Sequence, residues 1–87
     1  MQTITKEFIE RFSALNNIVA DVYIKHLLYG SQKIRQCVLH PLMDGARIGL
    51  RLNEEAVYMT MNELVGASIK DSECVIKSEV MELRIIL

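Results

Sequence analysis

The sequence predicts an α+β fold: one long N-terminal amphipathic helix packed on an antiparallel sheet of about four to six short strands, arranged as a β-meander. Three observations carry that expectation. The apolar residues recur at helical spacing before Gly30, Ser31 and Gln32 and alternate after them. Phe8, Phe12, Leu15, Val19, Val22, His26 and Tyr29 follow an alternating four-three spacing, the seam of an amphipathic helix. Ile48, Leu50 and Leu52 alternate with Arg47, Gly49 and Arg51, the pattern of a strand with one face in a core and the other in water.

Thr3 and Thr5 are each placed to cap the first turn of the helix, Glu7 suits the positive end of its dipole, and Gly30 is the expected C-terminal stop. The helix is therefore expected over residues 4–29. At 1.5 Å per residue it would be about 39 Å long, against a diameter of roughly 30 Å for a compact chain of this size. It must either break, at the poor helix formers Asn16 and Asn17, or set its spare length and the off-face residues Ile24 and Leu28 against a second copy. The wide apolar arc, in which Ile9, Ile18, Tyr23 and Leu27 flank the seam, favours the second arrangement.

Beyond the helix, residues 33–39 read as a strand, and residues 40–45 as a turn in which Pro41 interrupts any regular ladder. Residues 47–52 and 56–61 form a hairpin around Asn53, Glu54 and Glu55. Residues 67–70 and 73–77 are short strands joined by Asp71 and Ser72. Residues 80–87 make the last strand, with Met81, Leu83, Ile85 and Leu87 on one face; it has to be paired, because an unpaired apolar strand is a sticky edge.

Composition limits the function classes. A chain of 87 residues has room for one hydrophobic core and little to spare around a deep cleft, so a single domain is expected over residues 1–87. The hydrophobic fraction is 51% and the charged fraction 24%, which excludes disorder driven by polarity. Ten Lys and Arg against 11 Asp and Glu leave a net charge of -1; any nucleic-acid binding must come from a local patch, and self-association is weakly opposed. Two cysteines are too few for a disulfide framework, and the N-terminus has no basic region followed by an apolar run, so the cytoplasm is the expected location. No apolar run reaches membrane-spanning length, and no membrane partner is expected.

Cys37, His40 and Asp44 form the densest cluster of reactive side chains: a thiol, an imidazole and a carboxylate suited to nucleophile, base and orienting group. In a strand-turn segment, however, residues three apart point to opposite faces, and a free cysteine is most often simply buried. No catalytic site is expected. Cys37, His40, Cys74 and His26 would have to converge from three elements to hold a metal, because no Cys-x-x-Cys or His-x-x-x-His pair supplies two ligands locally. His26 itself reads as a core-edge histidine. Gly45 and Gly49 do not make a phosphate loop, and no nucleophile elbow or zinc-protease helix is present, so no metal or cofactor is expected.

Two surfaces remain. Lys33, Arg35, Arg47 and Arg51 alternate on strands and are read as one basic face able to neutralise phosphates, with Tyr58 as a stacking platform. Glu54, Glu55, Glu63 and Glu82 dilute its field, and a solvated face accounts for it more simply. Met43, Met59, Met61 and Met81 are assigned to the core in preference to an adaptable binding patch. The leading expectation is a small non-enzymatic interaction or regulatory module, a homo-oligomer that binds another protein and self-associates through Ile24, Leu28, Ile86 and Leu87. The alternatives are an accessory nucleic-acid-binding protein using the basic face, and a small-ligand binder with a pocket between helix and sheet near His26, Cys37 and His40.

Overall fold

The computed structural model describes residues 4–52 and 55–87. Strands account for 63% and helix for 13%, so the α+β expectation is overturned: the fold is mostly β. Among the described residues one short helix, α1 (Lys6–Ser13), precedes eight strands: β1 (Val19–His26), β2 (Gly30–Val38), β3 (His40–Met43), β4 (Arg47–Leu52), β5 (Glu55–Thr60), β6 (Leu64–Lys70), β7 (Glu73–Ser78) and β8 (Met81–Ile86), with a 3-10 turn, Met61–Glu63, between β5 and β6.

The helix starts as its sequence requires. Thr5 Oγ1 accepts from the Phe8 amide at 3.1 Å, Glu7 sits in the first turn, and Phe8 and Phe12, one turn apart, are buried with ring centroids 5.5 Å apart. Thr3, the other candidate cap, lies outside the described residues. The helix then stops well short of residue 29. Asn17 takes a left-handed φ of 68°, a conformation that asparagine tolerates better than most side chains, and the chain leaves as strand β1.

The four-three seam fails beyond Leu15. Val19 and Tyr29, which belong on the seam, are exposed, whereas Ala20 and Val22 are buried and Ile24 half-buried at a period of two. The physical reason lies in the side chains: Ile18, Val19, Val22 and Ile24 are β-branched and Tyr23 is aromatic, types that suit a pleated, half-buried surface better than a helix. Gly30 is not a helix stop. With φ of 83° it closes the β1–β2 hairpin, pairing with His26.

The single meander is replaced by two antiparallel sheets, one of five strands in the order β2-β1-β8-β7-β6 and one of three in the order β3-β4-β5. Leu39, fully buried, is the corner: its amide donates to Ile18 O and its carbonyl accepts from the Asn17 amide, both at 2.8 Å, as the chain passes from β2 to β3. Residues 40–43 are a strand and not a turn, with Pro41 opposite Leu50. A proline is tolerated there because β3 is an edge strand, where a missing amide donor need cost no ladder bond. Of the expected turn around Asn53, Glu54 and Glu55, the first two residues lie outside the described residues, and Glu55 opens β5.

Both sheets turn their inner faces to one core. Val22, Cys74, Ile76, Leu83 and Ile85 come from the larger sheet, Ile48, Leu50, Leu52 and Met59 from the smaller, and Phe8 and Phe12 from α1. Among the four methionines assigned to the core, Met59 is buried while Met43, Met61 and Met81 are half-buried against it. α1 also lies on the open edge of β6, where Arg11 Nη1 donates to Ile69 O at 3.1 Å; covering an edge in this way hides unpaired backbone groups.

Candidate interaction surface

The β1–β2 hairpin ends in a three-residue loop of Leu27, Leu28 and Tyr29, whose relative exposures are 75%, 78% and 85%. The loop is held in place despite this exposure. The Leu27 amide donates to Val80 O at 2.8 Å, tying the tip to the β7–β8 turn, and the Leu28 amide donates to His26 Nδ1 at 3.0 Å. The His26 ring also lies 4.6 Å, centroid to centroid, from that of Tyr29. His26 therefore organises the hairpin tip, with Nδ1 as an acceptor, and does not line a core. Single exposed apolar residues are ordinary, but three in succession on an ordered loop are not.

The four residues expected to mediate self-association do not form one patch. Leu28 is at the tip. Ile24 is half-buried against the core opposite Leu83, Ile86 lies opposite Asp21 towards the other end of β1, and the Leu87 amide donates to Ser72 O. Leu27 and Tyr29 complete the exposed tip beside Leu28. The helical reading of residues 4–29 sets Tyr29 on the apolar seam and Leu27 beside it, with Leu28 off that face, whereas the hairpin exposes all three together at its tip.

The expected basic face is divided between the sheets. Lys33 and Arg35 belong to β2 of the five-stranded sheet, and Arg47, Arg51 and Tyr58 to the three-stranded one. Arg47 does meet Tyr58, its guanidinium carbon 5.0 Å from the ring centroid, and is paired with Asp44 at 3.2 Å; Arg51 lies opposite His40. Lys33 instead covers the ring of Tyr23, with Nζ 4.9 Å from the centroid. Tyr23 became legible as a surface residue only once residues 19–26 were known to form a strand.

The reactive side chains are held apart. Cys37 is buried, its thiol 3.5 Å from Val38 O and pushed up by burial; Cys74 is fully buried, and loss of solvation pushes its thiol up to about 12. His40, beyond the Leu39 corner, has Nδ1 3.4 Å from Asn16 Oδ1. Asp44 Oδ1 accepts from the Ala46 and Arg47 amides, each at 2.8 Å; these bonds and the Arg47 guanidinium hold its carboxyl below the usual carboxylate range. His26 pairs with Gly30 and Cys37 with Ala20, six residues apart along β1 and hence about 20 Å, so no pocket joins them. Among the described residues no group of three or more His, Cys, Asp or Glu is placed to hold a metal ion, and no helix is long and apolar enough to cross a membrane.

No family model, curated protein or solved structure matches this chain.

Proposed function

We propose that this chain is a non-enzymatic protein–protein interaction module that self-associates through its β1–β2 hairpin. The observation that carries the reading is the hydrogen-bonded, apolar loop of Leu27, Leu28 and Tyr29, the most exposed large apolar residues among those described. Fully burying such side chains is worth about 1.5–3 kcal/mol each, and association itself costs about 4–15 kcal/mol. The tip alone is thus too small for a stable contact. The adjoining edge of β2, where residues 30–33 are all exposed at the border of the five-stranded sheet, supplies the further surface and a row of backbone donors and acceptors.

The test is solution mass by light scattering over a dilution series from about 1 mM to about 1 μM, for the wild type and for Leu28→Asp. A wild-type dimer or larger species is expected, with Leu28→Asp monomeric and unfolding at the midpoint of the wild type diluted to the monomer, because the side chain touches little of its own fold. A wild type that is monomeric throughout overturns self-association. A Leu28→Asp variant of undiminished mass moves the contact away from the tip.

A further inference from the structure

We propose that the outer face of the five-stranded sheet is a binding site for single-stranded nucleic acid, with Tyr23 as a base-stacking platform and Lys25, Lys33, Arg35 and Arg84 placed for the phosphates. The proposal goes beyond self-association: it rests on the outward side chains of the sheet and not on the hairpin tip, and overlaps the proposed contact only along the β2 edge at residues 31–33.

The ladders place these residues in order. Lys33, Tyr23 and Arg84 lie directly opposite one another on β2, β1 and β8, so one row across the sheet presents cation, aromatic ring and cation with no acid between. Lys25 lies two residues along β1 from Tyr23 on the same face. Arg35 joins them through a β-bulge: residues 35 and 36 lie opposite Asp21 alone, with Gln36 at φ 49° and its amide bonded to Asp21 Oδ1 at 3.0 Å. The bulge returns Cys37 to the core and leaves Arg35 exposed. An open groove of about 420 Å³ runs beside this row, with Tyr23, Lys25, Ser31, Gln32, Glu82 and Arg84 in its lining.

Charge is segregated onto this face. Lys25, Lys33, Arg35, Lys70, Lys77 and Arg84 project from it against Asp21, Glu73 and Glu82, a net of +3, so the rest of a chain of net charge -1 carries -4. Arg84 is shared between Glu73 and Glu82, each at 3.4 Å, whereas Lys25, Lys33 and Arg35 have no ion-pair partner within 4.0 Å among the described residues. A ring held between cations fits a nucleic acid better than an acidic peptide, because bases stack on it while phosphates take the lysines and arginines. Lys33 occupies the ring face of Tyr23 in the free protein, and its flexible stem lets it move to a phosphate as a base takes its place.

The chain has no tryptophan, so Tyr23→Trp introduces a single reporter at the platform. Titration with an oligothymidylate of about 12 nucleotides is expected to quench its emission. With three or four phosphates engaged, binding should weaken about 20- to 50-fold between about 50 mM and 200 mM salt. Lys33→Glu combined with Arg35→Glu, both exposed and so expected to fold as judged by circular dichroism, should flatten the salt slope by about 1.4. Arg47→Glu combined with Arg51→Glu, on the other sheet, should leave it unchanged. Tyr23→Ala should lose about 5- to 150-fold in affinity for a labelled oligonucleotide without changing the slope. The proposal is overturned by absence of binding at low salt, or by polyglutamate binding as tightly with the tryptophan emission unmoved, which would assign the face to an acidic polypeptide.

Discussion

Gly49 illustrates how one position constrains two strands. It is buried in β4 opposite Tyr58, and a side chain there would collide with the Val57 carbonyl and come within 2.7 Å of Tyr58 Cβ. The absence of a side chain lets β5 pair closely beside β4, where the Tyr58 ring also meets Arg47. Gly49→Ala must therefore push backbone against backbone, which no rotamer change relieves. The expected cost is about 2–3 kcal/mol, within the range for overpacked interiors, read as a lowered urea midpoint; an unchanged midpoint would show that the two strands separate freely.

Turns and bulges convert single side chains into element geometry. Asp44 closes the β3–β4 connection: its carboxylate accepts from two backbone amides while its own amide donates to Arg47 O at 3.0 Å. Because its folded pKa is depressed by those bonds, the contribution is complete above the unfolded value of about 3.9 and is lost as pH falls through the lower folded value. Asp44→Asn keeps an acceptor but does not titrate. Urea midpoints measured from about pH 6 down to about pH 2 should fall further for the wild type than for Asp44→Asn, and parallel curves would remove the carboxylate from the account. Asp21 plays a comparable part at the β2 bulge, binding the amide that the ladder leaves over.

At the scale of the molecule, the deciding feature is the pairing of β1 with β8, which sets Asp21 opposite Ile86 and Ile24 opposite Leu83. The first and last strands thereby become neighbours at the centre of the larger sheet. The dimensions follow: principal extents of 31 × 30 × 23 Å hold a helix of eight residues, about 12 Å long, with no overhang to be covered by a second copy. The case for self-association thus passes from helix length to the hairpin tip. A ladder between residues this distant in sequence closes a large loop before its contacts form. Refolding is expected on the millisecond-to-second scale typical of β folds, measurable by stopped-flow tyrosine fluorescence; microsecond refolding would contradict the topology.

How far the sequence carried can be judged from particular residues. Ile48, Leu50 and Leu52 announced β4, and Met81, Leu83 and Ile85 announced the inner face of β8, because a period of two has one geometric meaning when polar residues occupy the alternate positions. Thr5 and Phe8 marked the start of α1 for an equally local reason. Residues 18–29 were ambiguous, since Phe8, Phe12 and Leu15 flow into Val19 and Val22 at helical spacing while Val22 and Ile24 also alternate as a strand. The basic residues were legible as charges but not as a site: a strand shows which side chains share its own face, never which strands become its neighbours. By itself, then, the sequence determined the local elements whose signals lie within a few residues, the capped helix start and the alternating strands. Only the tertiary structure decided the division into two sheets, the β1–β8 closure and the company of Tyr23, because those depend on pairing between segments whose separation along the chain leaves no trace in local pattern.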